Sequence, residues 1–239
     1  MANSIEVVYT PALLPMHEVK GKTVVVIDIL RATTSICVAF QTGAAKILPV
    51  ATPEECRVFK EFDFLCAAER NALKLDGFDL GNSPFEYQNP LIAGRNIALT
   101  TTNGTKAIKM AKELQASNIL IGSFLNLSAL CDKLSTLAES VILLCAGWKD
   151  RFNLEDTLFA GAVVNELSAI FETDCDAALA ARELYLSMQD NLEHWVRQSS
   201  HAKRFQLLHL QTDDVAFCLQ RNSVNLVPML QGEYIVCNQ

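Results

Sequence analysis

The residues able to do chemistry fall into four polar stretches. The first is Asp28-Ile-Leu-Arg31-Ala-Thr33-Thr34, which directly follows four β-branched residues at 24–27. A carboxylate and a guanidinium at the end of an apolar strand cost several kcal/mol or more to bury unpaired, so something must meet them there. The second stretch is Glu69-Arg70, leading on to Asp79-Leu-Gly-Asn82-Ser83. The third is Thr100-Thr101-Thr102-Asn103-Gly104-Thr105, and the fourth runs from Cys145-Ala-Gly147 to Asn153-Leu-Glu155-Asp156.

Asp28, Glu69, Asp79, Glu155 and Asp156 are candidate magnesium ligands. Magnesium prefers carboxylate oxygens and keeps several of its waters, so one to three of these suffice. Each alone also reads as a helix cap or a partner for arginine, and Glu155-Asp156 at a helix start suits the helix dipole. In the third stretch, hydroxyls, an amide and a glycine opening a helix make an anion cradle, because Gly104 lets the backbone come close. The plainer reading is an N-cap and a tight turn, for which Asn-Gly is a common signal. Cys145 and Arg151 have the C-x5-R spacing of a thiolate that attacks phosphorus, but chance matches are common, and Trp148 and Asp150 between them suit an anion poorly. A buried cysteine at a strand end is the favoured reading. Of the four histidines, His17, His194 and His209 sit in amphipathic or terminal contexts; His201, after Ser199-Ser200, is kept as a site candidate.

These stretches need elements to position them. Short β-branched runs predict strands over 23–28, 46–50, 64–67, 96–100, 118–121 and 141–145. Helical spacing lies between them at 33–42, 53–60, 105–114 and 126–137, the pattern of βαβ units and a largely parallel or mixed sheet. The polar connection 68–95 is long enough to suggest a functional loop. From 155 onward helical spacing dominates, with one run over 174–198, two shorter ones reaching 220 and a closing strand at 231–237. The expected architecture is one α/β domain over 1–239, with an α/β body to about 154 and a helical C-terminal third packed on it. Ligands of open α/β sheets sit beyond the carboxyl ends of the strands, where all four polar stretches fall.

The chain has 239 residues, a net charge of -7 and no cluster of basic residues. That argues against a nucleic-acid partner, which needs a basic stripe. No stretch reads as a membrane span or a signal peptide, and the eight cysteines show no CxxC pair. Scattered cysteines of this kind read as reduced thiols in a cytoplasm.

IDILRATTS, ERNALKLDGFDLGNSPFEY, TTTNGTKAI, IGSFLN, CAG…LEDTLFAG and SSHAKR, in this order, resemble the ComB family of 2-phosphosulfolactate phosphatases. The resemblance implies a magnesium-dependent phosphatase of coenzyme M biosynthesis, converting 2-phosphosulfolactate to sulfolactate and phosphate. It implies a three-layer α/β/α fold unlike that of the haloacid-dehalogenase phosphatases, whose DxD motif lacks a counterpart in Asp28-Ile29-Leu30. On this reading Asp28, Arg31, Glu69 and Arg70 are catalytic, and Asp28, Asp79, Glu155 and Asp156 are the metal candidates. Thr33, Thr34, Asn82, Ser83, Thr101, Thr102, Asn103, Gly104 and Thr105 face a substrate bearing phosphate, carboxylate and sulfonate. The chain departs from the family around Glu69-Arg70, where Ala67-Ala68 and Asn71-Ala72 stand at places expected to hold glycines. A homodimer is the expected assembly. Two other readings use the same residues: a non-catalytic binder of a small anion, and a metal-free phosphatase using Cys145.

Overall fold

The computed structural model describes residues 3–208 and 212–237, so His209 lies outside the described residues. Its strands are β1 Ile5–Val8, β2 Thr23–Ile27, β3 Lys46–Pro49, β4 Leu65–Arg70, β5 Leu73–Lys74, β6 Asn96–Thr100, β7 Asn118–Gly122, β8 Val141–Cys145, β9 Met229–Gln231 and β10 Tyr234–Val236. They form one sheet in the order β1-β8-β2-β7-β9-β10-β3-β6-β4-β5. The pairs β1–β8, β8–β2, β2–β7, β3–β6 and β6–β4 are parallel. The hairpin β9–β10 and the short β5 pair antiparallel, so the sheet is mixed.

The helices are α1 Ala32–Gln41, α2 Pro53–Val58, α3 Gly104–Glu113, α4 Leu127–Leu137, α5 Leu154–Glu166, α6 Asp176–Met188, α7 Leu192–Arg197, α8 Ser200–Leu207 and α9 Asp214–Cys218. β2 and β8 are buried at every residue, because helices cover both faces of the sheet. Val25, Ile27 and Leu143 point into a core with α4, α5 and α6. Val24, Val26, Ile142 and Leu144 point the other way, into a core with α1 and α3. Period-two alternation along the central strands thus produces the three-layer α/β/α arrangement expected from the sequence.

Several elements differ from the sequence reading. The strand expected at 64–67 runs on to Arg70, which puts Glu69 in a strand and not in a loop. The connection that follows it pairs back on β4 as β5. The single helical run expected over 174–198 is broken into α6 and α7. β1 was not expected. The closing strand is a hairpin, and it enters the middle of the sheet.

That insertion shapes the site. β2 and β4 stand six places apart in the sheet, about 29 Å if it were flat. Yet Asp28, just past β2, and Glu69, in β4, line one small cavity. The sheet must curl to bring them together, and the hairpin lies at the bend. It joins β7 through the single pair Leu120↔Met229 and β3 through the single pair Ile47↔Ile235.

Candidate active site

Asp28 sits where β2 turns into α1, and the turn is tied by its own hydroxyls. Thr33 Oγ1 donates to the Asp28 carbonyl at 2.9 Å and accepts from the Asp28 N–H at 3.1 Å. Thr34 Oγ1 donates to the Ile29 carbonyl at 3.0 Å. Both threonines are buried, and their hydroxyls are engaged in holding the turn. Among the described residues the Asp28 carboxylate accepts only a long bond, from the Ala32 N–H at 3.3 Å. Burial pushes its pKa up to about 6, His201 opposes the shift, and Glu69 and Glu155 add to it.

The first turn of α5 delivers two more buried acids. Asp156 accepts from the Ile29 N–H at 2.8 Å and the Gly147 N–H at 3.2 Å, clamping the ends of β2 and β8 together. Burial, with Asp28 and Glu155 nearby, pushes its carboxyl well above the usual range. Glu155 Oε1 meets His201 Nδ1 at 2.8 Å and the Asn153 amide at 3.3 Å. His201 reaches it from α8, whose start is capped by Ser199 accepting from the Ala202 N–H at 3.1 Å.

Glu69 closes the opposite wall. Its Oε1 accepts from the Thr102 N–H at 2.9 Å and the Thr102 hydroxyl at 2.7 Å, and its Oε2 accepts from the Ala72 N–H at 2.9 Å. It therefore ties the β4–β5 turn to the loop before α3. Thr101 and Thr105 bond each other within that loop. Asn103 accepts from the Lys149 N–H at 3.4 Å. Gly104 packs against Asp28.

The two arginines expected here have other company. Arg31 forms a buried ion pair with Asp214, and donates to the Ala72 carbonyl at 2.6 Å. Asp214 also accepts from Ser83 at 2.8 Å, which places Ser83 behind the arginine. Arg70 donates to the Glu69 carbonyl at 2.6 Å and lines a different cleft of about 740 Å³ beyond Thr102, together with Lys106, Lys109 and Lys112. That cleft holds none of the buried carboxylates. Asp79 is far from the site. It accepts from the Cys66 N–H at 2.8 Å at the start of β4 and pairs with Lys60, roughly 10 Å along the strand from Glu69. Cys145 is fully buried, and burial together with Asp156 pushes its thiol well above its ordinary pKa, which disfavours a thiolate nucleophile.

What the structure does bring together is a cavity of about 50 Å³, walled by Asp28, Glu69, Asn82, Trp148, His201 and Arg204. It has room for one or two waters. A second pocket of about 360 Å³ shares Arg31, Ala72 and Asn82 with it and gives the space that a ligand needs. Among the described residues, four buried side-chain atoms have no hydrogen-bond partner: Asn82 Oδ1, Asn153 Oδ1, Glu155 Oε2 and Arg204 Nη2. Asn82 and Arg204 line the cavity, and Glu155 and Asn153 lie behind His201, which does. Three are acceptors and one is a donor, so partners of both kinds are needed there. Arg204, Trp148 and Asn153 were not singled out in the sequence as site residues; the signal available was the SSHAKR motif and the Asn preceding Leu154-Glu155-Asp156.

The profile of the family described as 2-phosphosulpholactate phosphatase matches residues 8–233. The chain belongs to this family. A relative from Thermotoga petrophila, named a probable 2-phosphosulfolactate phosphatase, is 43% identical over 226 residues, covering 94% of this chain and 96% of its own. One of the same name from Caldanaerobacter subterraneus is 38% identical over 229 residues, covering 93% of each chain. Another from Clostridium tetani is 34% identical over 236 residues, covering 97% of this chain and 99% of its own. The family match spans every polar stretch that builds the cavity, and it identifies the chain as a phosphoric monoester hydrolase.

Proposed function

We propose that the chain hydrolyses 2-phosphosulfolactate to 3-sulfolactate and phosphate, with magnesium, in the cavity between Asp28 and His201. The observation that carries the reading is an orphaned acceptor, Asn82 Oδ1, and an orphaned guanidinium nitrogen, Arg204 Nη2, in one cavity wall, with Glu155 Oε2 and Asn153 Oδ1 orphaned behind His201. A divalent cation together with a phosphorylated polyanion would answer both.

The donor set fits magnesium. Glu155 Oε2 and Asn153 Oδ1 are buried oxygens without partners, and Asp28 is a desolvated carboxylate whose neighbours are also acidic. Among the described residues no three acidic, histidine or cysteine side chains are grouped tightly enough to hold a metal by themselves. Magnesium suits such a site, because it is usually held by one or two carboxylates plus waters and substrate phosphate. Asp28 and Glu155 are the residues that would hold it, and Asp156 would support them from below. Once bound, magnesium neutralises phosphoryl oxygens and polarises phosphorus.

The chain's own groups do the rest. Glu69 fixes the wall opposite Asp28 through Thr102 and Ala72. His201, with Nδ1 held by Glu155, has its other ring nitrogen available to protonate the leaving oxygen as water replaces it on phosphorus. The cysteines are free thiols, which supports a reducing, cytoplasmic setting. No helix among the described residues is long and apolar enough to cross a membrane. A homodimer completes the reading, and light scattering after size exclusion reads it directly.

Phosphate release from 2-phosphosulfolactate, measured with magnesium, with chelator and after re-addition of magnesium, tests the proposal. Turnover should vanish with chelator and return. Full turnover in chelator would remove the metal from the mechanism. No release from any phosphate monoester in magnesium would remove the hydrolase reading.

A further inference from the structure

We infer that Arg204, stacked on Trp148, is the specificity-determining residue that binds the substrate's non-phosphoryl anion, its carboxylate or sulfonate. The inference rests on the functional reading above and deepens it.

Three arginines lie at or beside the site, and they differ in what they touch. Arg31 is neutralised by Asp214. Arg70 points into the cleft beyond Thr102. The Arg204 side chain makes no hydrogen bond among the described residues, and its Nη2 is buried. Its guanidinium carbon lies 4.0 Å from the centroid of the Trp148 ring. The stack fixes the plane of the guanidinium and leaves its edge for a ligand. Burial lowers the Arg204 pKa, and Glu155 only partly offsets this, so the cation is desolvated without a bonded counter-charge. An oxyanion supplies both a counter-charge and two acceptors in the geometry of the fork.

Charge balance decides which anion. On the proposed function the phosphoryl group would lie toward Asp28 and Glu155, where a divalent cation would offset its charge. The substrate then still carries two negative groups, and Arg204 is the cation in the cavity wall without a carboxylate partner. The Trp148 face carries the weakly hydrated guanidinium and leaves the anion to the edge of the fork. Trp148 is a positioning residue: it acts through Arg204.

The test compares wild type, Arg204→Gln, Arg204→Lys, Trp148→Leu and Trp148→Phe on 2-phosphosulfolactate, 2-phospholactate and phenyl phosphate. Calorimetric binding of 3-sulfolactate is measured alongside, and circular dichroism confirms that each variant is folded. Arg204→Gln should lower kcat/KM on 2-phosphosulfolactate at least tenfold more than on phenyl phosphate, and weaken 3-sulfolactate binding about tenfold. Arg204→Lys should recover little of the loss. Trp148→Leu should raise KM for the sulfonated substrate more than it lowers kcat, and Trp148→Phe should rescue it. A matching loss on 2-phospholactate assigns the carboxylate; a loss confined to 2-phosphosulfolactate assigns the sulfonate. Equal losses on all three substrates, or unchanged 3-sulfolactate binding, would overturn the inference. If wild type hydrolyses none of the three, the functional reading fails, and the binding measurement still decides the role of Arg204.

Discussion

Gly104 and Asp28 meet so closely that a methyl group on the glycine would stand 3.1 Å from Asp28 Oδ2 and 2.9 Å from Ala32 Cβ. The first turn of α3 thereby sets how far the carboxylate can swing. Gly104→Ala must displace either Asp28 or α1, at about 1–3 kcal/mol. Turnover should fall at least tenfold, with a few degrees lost in Tm. Unchanged kinetics in a folded variant would show that the contact does not position Asp28.

Asp28 itself should cost the protein stability. Its pKa is raised from 3.8 to about 6, so the folded state holds the proton more tightly than the unfolded chain. The cost is therefore full above about pH 6, fades as the pH falls from 6 to 4, and is gone below about 4. In magnesium-free buffer, Asp28→Asn should stabilise the fold by about 2–3 kcal/mol at pH 8 and by almost nothing at pH 4, while turnover is lost. Urea melts at the two pH values check this; a variant less stable at pH 8 would contradict it.

The Arg31–Asp214 pair predicts the opposite behaviour. Their side chains are 4% and 0% exposed, and Asp214 also accepts from Ser83 and Thr212. Asp214→Ala leaves a guanidinium buried and unpaired, at about 3–5 kcal/mol. Adding Arg31→Met should recover part of that loss in denaturant melts. Additive losses would mean that the two side chains do not depend on each other.

The β4–β5 turn carries strain that one substitution can relieve. Asn71 and Ala72 have φ of 54° and 69°, the left-handed region that favours glycine. Ala72→Gly should raise stability by about 1 kcal/mol, read as a rise in Tm. A fall would mean that the alanine methyl packs against something worth more than the strain.

The central strands and Asp28 were legible because a run of β-branched residues ending in a carboxylate has few other structural meanings. The roles of Thr33, Thr34, Thr101 and Thr105 were not, since a hydroxyl that ties a turn and one that faces a ligand look alike in sequence. Asp79 misled because its motif lies near Glu69 in the chain, while the return pairing carries it to the opposite end of β4. Asp214 and Arg204 reach the site from far along the chain through α9 and α8, and no local pattern marks such a long-range partnership.

The hairpin at 229–236 has a consequence for how the enzyme is made. It follows the other described strands in the chain, and it supplies the backbone bonds that join the strand group of Asp28 to that of Glu69. A ribosome-bound chain lacking it already holds every carboxylate of the cavity, yet has no sheet to carry them round the bend. Its two unpaired strand edges are open to one another and to neighbouring chains. Newborn chains are therefore most exposed to misassembly just before this hairpin emerges, and a nascent protein cut short before residue 229 should aggregate although its catalytic residues are all present.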